Sequence, residues 1–262
     1  MLPIRLVSLL LRLVPIAVVG CRVLPPPPVL PPHASTETDR EGATTAVIVV
    51  GIAHAGELFD GNAWGVALRV EHQQTERTTL GLELTGGRGD EARYESGEVF
   101  RPWLVGARAY GRFAPSSTPH DLAFTYGAGL SLMATGLVTG TLHGGLALGY
   151  ANDHAVPVGA LGLALAVPLR PGRPYGDPHS RTHYAFGAAE PDLNPGRAPL
   201  DPGKPRTKLP ATELYLGFDL GLIVPIGKTG NRLSADFGFA RAIRDKGVVL
   251  ALSLGEAQRF DP

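Results

Sequence analysis

From residue 44 onward, large apolar side chains recur at every second position. In Asn62–Glu71 one parity carries Trp64, Val66, Leu68 and Val70, and the other carries Ala63, Gly65, Ala67, Arg69 and Glu71. The same division returns in Leu80–Leu82–Leu84, Trp103–Val105–Ala107–Ala109, Leu122–Phe124–Tyr126 with Leu130–Leu132, and Leu142–Leu146–Leu148–Tyr150. It continues in Leu161–Leu163–Leu165–Val167, Leu214–Leu216–Phe218–Leu220–Leu222, Phe237–Phe239 and Leu250–Leu252–Leu254. Thr45–Ala53 is apolar at both parities and reads as the first strand. A period of two places successive side chains on opposite faces of a strand. One face is bulky and aliphatic or aromatic; the other is Gly, Ala and a few charges.

The pattern predicts an all-β chain of about ten strands (eight to ten), each near ten residues, the length a tilted strand needs to cross a bilayer. Soluble strands average about five or six. The predicted architecture is a closed up-and-down antiparallel barrel with hydrocarbon outside and small or charged side chains within. Arg69, Glu83, Arg108, Arg112, Asp219 and Asp236 fall on the inner parity and form a candidate lumenal charge network, since buried charges must be paired. If the N-terminus lies in the periplasm, the long connections 87–101 and 170–211 both face outward. The opposite set, 72–76, 114–120, 151–156 and 226–231, is short. Trp64 and Trp103 then fall near the outer rim, and Phe113, Phe124 and Tyr150 near the inner one, as aromatic girdles require. The stretch 44–256 resembles small bacterial outer-membrane β-barrels in this pattern, with one departure. Such barrels usually end on an aromatic residue, whereas Phe260 is followed here by Asp261-Pro262.

The first 43 residues have a different character. Arg5, an apolar stretch interrupted by Arg12, and small residues before Cys21 mark residues 1–20 as a secretory signal. Val18-Val19-Gly20-Cys21 resembles the bacterial lipobox, which implies that the sulfur of Cys21, the chain's one cysteine, carries diacylglycerol. An ordinary signal peptide or N-terminal anchor is the alternative. Arg22 rather than Asp after the cysteine favours, by the same resemblance, the outer membrane over inner-membrane retention. Residues 21–43 then form a linker whose Pro25–Pro28 and Pro31-Pro32 favour an extended polyproline spacer. The barrel domain is 44–262.

Composition narrows the function. Twenty-four basic residues balance twenty-four acidic ones, so no global field favours nucleic acid. One cysteine cannot form an internal disulfide. Gly227-Lys228-Thr229 lacks the first glycine of a phosphate loop. Ala251-Leu252-Ser253-Leu254-Gly255 is a near miss to a nucleophile elbow but lies within an alternating strand. Ser131 and His143 lie on neighbouring predicted strands. His179 and His183 share a Pro-rich loop rather than a helix. No cofactor or metal is called for. Basic residues in loop 170–211 suit lipopolysaccharide phosphates, because guanidinium and phosphate pair bidentately. The reading is a lipid-anchored outer-membrane barrel, narrow or plugged, with a structural or surface-interaction role and no enzymatic one. Its partner is outer-membrane lipid. The alternatives are a lipid-modifying barrel enzyme, with Ser and His converging at the rim, and a soluble tethered barrel with an apolar ligand cavity.

Overall fold

The computed structural model describes residues 41–55, 62–89, 92–93, 99–101, 103–115, 122–150, 154–172, 212–226, 231–243 and 248–260. Cys21, the signal segment, nearly all of the linker and most of loop 170–211 lie outside them. The strands are β1 (Thr44–Ala55), β2 (Asn62–Thr75), β3 (Thr78–Gly89), β4 (Ala92–Arg93), β5 (Val99–Phe100), β6 (Trp103–Phe113), β7 (Leu122–Met133), β8 (Val138–Gly149), β9 (Val156–Arg170), β10 (Glu213–Ile226), β11 (Asn231–Ala242) and β12 (Val248–Phe260). Ten of them close an antiparallel barrel in the order β1-β2-β3-β6-β7-β8-β9-β10-β11-β12 and back to β1. The short pair β4–β5 sits in the β3–β6 connection.

Closure follows from the two faces. An open sheet with this pattern would leave a row of unpaired backbone groups at each edge; joining β12 to β1 removes both edges. Their register runs from Thr44 opposite Phe260 to Ala55 opposite Val249, so both ends of the barrel sequence meet at one rim, here the lower. The stagger can be read from the hydrogen bonding. Starting at Ala43 and passing through Gln73, Thr79, Arg112, Thr125, Gly145, Gly162, Gly217, Ala240 and Val249, the paired row returns to β1 at Ala55, twelve residues along. Ten strands staggered by twelve residues imply a tilt of about 40° and a backbone radius of about 10 Å. Each residue then rises about 2.5 Å along the barrel axis. Strands of eleven (β6) to fifteen (β9) residues therefore exceed the roughly 25 Å apolar band of an outer membrane.

The bulky parity faces outward on every barrel strand. Leu82 is 66% exposed, Leu84 61%, Leu148 61%, Trp64 56% and Leu254 57%. Leu216, Phe218, Leu220 and Leu222 are likewise exposed on the outer surface of β10, the opposite of a ligand-binding barrel with an apolar interior. The connections alternate as expected. The lower β2–β3 turn is tight: the strands are joined by Glu76 and Arg77 alone, so the predicted loop 72–76 is mostly strand. The long segments 90–102 and 171–212 both open at the upper rim. The upper β7–β8 turn is also short, and Gly136 supplies its positive φ of 86°, a conformation only glycine adopts freely. Its N–H donates to the Met133 carbonyl at 2.8 Å. Pro168, which has no N–H to give the ladder, falls beside the register shift between β8 and β9.

Candidate functional site in the lumen

Register, more than sequence distance, assembles the lumen. Arg69 on β2 pairs with Glu83 on β3, and Glu83 pairs with Arg108 on β6. The three side chains stand in one row across three strands. Arg69 Nε donates to Glu83 Oε2, and Arg108 Nη2 donates to the same oxygen at 2.7 Å. Arg69 and Glu83 are each only 2% exposed. A lone carboxylate there would lose its hydration without return; two guanidiniums restore it.

A second row lies beneath. Glu71, Gly81 and Tyr110 are in register on the same three strands. The Tyr110 ring lies where a Cβ on Gly81 would stand. Because Gly81 has no side chain, Tyr110 spans β3, and its hydroxyl donates to Glu71 Oε1 at 2.6 Å. The Arg108 guanidinium carbon is 5.6 Å from the Tyr110 ring centroid, within cation–π reach. A third row continues downward: Arg112 Nη2 donates to Thr79 Oγ1 (2.9 Å), Thr79 Oγ1 donates to Gln73 Oε1 (2.7 Å), and Gln73 Nε2 donates to the Thr75 carbonyl (2.5 Å).

The remaining acids of the predicted network sit elsewhere. Asp219 is on β10 and Asp236 on β11, and β10 is five strands from β3 in either direction round the ring. Glu83 is the sixth of twelve residues in β3 and Asp219 the seventh of fourteen in β10, so both stand at mid-barrel. Asp219 is 6% exposed and Asp236 3%. The Asp236 carboxylate lies over Gly221, its register partner. No side-chain donor reaches either carboxylate oxygen of Asp219. Arg69, across the lumen, is within electrostatic reach of it. The structure thus joins Arg69, Glu83 and Arg108 directly, ties Arg112 to Thr79, and puts the two aspartates on the far wall. Glu71, Tyr110, Gln73 and Thr79 belong to the same belt.

The far walls accommodate these long side chains. Gly127, Gly129, Gly145, Gly162 and Gly217 face inward from β7–β10, and the His143 ring lies over Gly127. Buried apolar side chains gather toward each mouth beside polar ones. At the lower rim Ala123, Ala147, Val156, Val158 and Ile223 form one cluster. At the upper rim Leu104, Met133, Leu137, Tyr215, Ala242 and Val249 are buried. The arrangement is a polar belt at mid-height, with buried apolar side chains among polar ones toward each rim. Ser131 pairs with Thr139, and His143 with Gly127, four positions away on β7 from Ser131. That separation is about 13 Å along the strand, too far for a nucleophile and its base. Among the described residues no three His, Cys, Asp or Glu side chains are grouped to hold a metal ion.

No protein-family model matches the chain, and no curated protein sequence matches it. Solved structures that resemble it are outer-membrane β-barrel proteins. An outer membrane channel from Pseudomonas putida F1 is 12% identical, with a TM-score of 0.45, over 89% of this chain and 100% of that one. The translocator domain of the autotransporter NalP from Neisseria meningitidis is 17% identical, with a TM-score of 0.43, over 86% and 91%. Ail, the attachment invasion locus protein of Yersinia pestis, is 14% identical, with a TM-score of 0.34, over 84% and 100%. Likeness at this level decides nothing about what this chain does.

Proposed function

We propose that the protein is an outer-membrane β-barrel, anchored in addition by lipid on Cys21, with a structural or surface-interaction role. The observation that carries this reading is the inverted amphipathicity: leucine, valine and aromatic rows are exposed on the outside, while Arg69, Glu83, Arg112, Asp219 and Asp236 are buried within. Water is a poor solvent for that outer surface, and hydrocarbon a good one. The ten-strand ring and the side-chain belt across its lumen support a plugged or narrow barrel over a wide pore. The long upper connection, rich in Arg and Lys, is the segment through which the protein would meet lipopolysaccharide phosphates.

The test joins two measurements on wild type and Cys21→Ala expressed in a Gram-negative host: metabolic palmitate labelling and heat-modifiable gel migration of the membrane fraction. The reading expects the variant to lose its label and remain in the membrane as a compact, heat-modifiable species. A variant that becomes freely soluble would show that the barrel does not insert. Equal labelling of both proteins would remove the lipid anchor from the account.

A further inference from the structure

The apolar band on the outer surface is not level round the barrel. On β10 every outward position from Leu214 to Ile226 is apolar, a run of thirteen residues. On β8 the outward run from Val138 to Tyr150 is equally long. At the closing seam it is half that. On β2 the apolar run goes from Trp64 to Val70, and the next outward positions are the exposed His72 and Gln74. On β12 it goes from Val248 to Leu254; the next two outward positions are the exposed Glu256 and Gln258, and the strand ends on the exposed Phe260. Between them β1 begins outward with Thr44, whose hydroxyl is 3.2 Å from His72 Nδ1. At about 2.5 Å of rise per residue, the band is about 30 Å tall on the β8–β10 wall and about 15 Å tall at the seam.

Strand ends do not explain the difference. With the stagger found above, each step to the next strand lifts the register by about 3 Å, which brings the lower ends of β2, β8, β10 and β12 to within about 8 Å of one level. Gln258 and Val224 then stand at nearly the same height two strands apart, one polar and one apolar. The gap in the band lies toward the lower rim, below Val70 on β2 and between Leu254 and Phe260 on β12.

We infer that this barrel pinches the bilayer at the β12–β1–β2 seam, drawing the lower-leaflet headgroups and water upward to meet His72, Glu256 and Gln258. The partner of this surface is the lipid itself. Glu256 facing acyl chains would be destabilising at this depth, whereas headgroups and water satisfy it; a thinned bilayer is the ordinary response to a short hydrophobic surface. The inference rests on the membrane-embedded reading, so its test must separate the two.

Four single-cysteine variants on a Cys21→Ser background carry a nitroxide label and are refolded into dimyristoylphosphatidylcholine vesicles. Gel migration verifies folding of each. Labels at Leu252→Cys and Phe218→Cys probe mid-height; those at Gln258→Cys and Val224→Cys probe the lower level at the seam and on the β8–β10 wall. Collision rates with a water-soluble nickel complex and with oxygen report the surroundings. The inference expects both mid-height labels in hydrocarbon, and the Gln258 label several-fold more accessible to nickel than the Val224 label. Equal accessibility at Gln258 and Val224, wet or dry, would overturn the pinch while leaving insertion intact. A Gln258 label shielded from both reagents would also overturn it, by showing protein at the seam. Mid-height labels in water would overturn insertion itself, and the pinch with it.

Discussion

The Tyr110 hydroxyl donates to Glu71 at 2.6 Å although a whole strand separates them, and the ring crosses that strand at Gly81. The contact explains a glycine by the side chain it admits rather than by backbone freedom. Gly127 under His143 and Gly221 under Asp236 repeat it. Removing the hydroxyl in Tyr110→Phe is expected to destabilise the barrel by about 1.5–3 kcal/mol, the range for a hydrogen bond to a charged group. Gly81→Ala is expected to destabilise it as well, because the new methyl group occupies the ring's position. The double variant should lose less than the sum of the two, since both disrupt one contact. Urea unfolding of the vesicle-embedded protein, followed by gel migration, measures all three.

Glu83→Gln leaves two buried guanidiniums facing a neutral amide. The expected loss is about 3–5 kcal/mol, as for other buried pairs broken from one side. Replacing Arg69 with Met in the same chain should recover part of it, because one unpaired charge is then gone. A Glu83→Gln barrel as stable as wild type in the same unfolding assay would remove the belt from the account of stability.

The two faces of one strand should respond in opposite ways. Leu252→Arg puts a charge on the outer surface near mid-band, where the expected penalty is about 2–4 kcal/mol. Ser253→Ala, one residue on and facing the lumen, should change little. Refolding yield into phosphatidylcholine vesicles distinguishes them, and equal yields would count against an outer surface in lipid.

Much of this was legible in the sequence because period two fixes the face of every residue without knowledge of its partner. Leu214–Leu222 and Leu250–Leu254 could be assigned outward, and Arg69, Glu83 and Asp219 inward, from parity alone. Which charges meet was not legible. The Arg69–Glu83 contact depends on a turn of only Glu76 and Arg77 and on the irregularity between Gln73 and Thr75, and one residue more would shift every pair. Asp219 and Asp236 are separated from the arginine rows by up to half the circumference of the barrel, which appears only when closure is known. Glu71 and Tyr110 did leave a signal: each lies two residues from an arginine of the network, at the same parity.

The two tryptophans of the chain, Trp64 and Trp103, both point outward near the upper rim, 56% and 43% exposed. Their fluorescence in vesicles whose acyl chains carry bromine close to the headgroup is the most direct test that the bulky face meets hydrocarbon. Strong quenching by the brominated chains, with little by aqueous iodide, is the result expected of an inserted barrel. Quenching by iodide alone, with the brominated chains silent, would place that face in water and contradict the account.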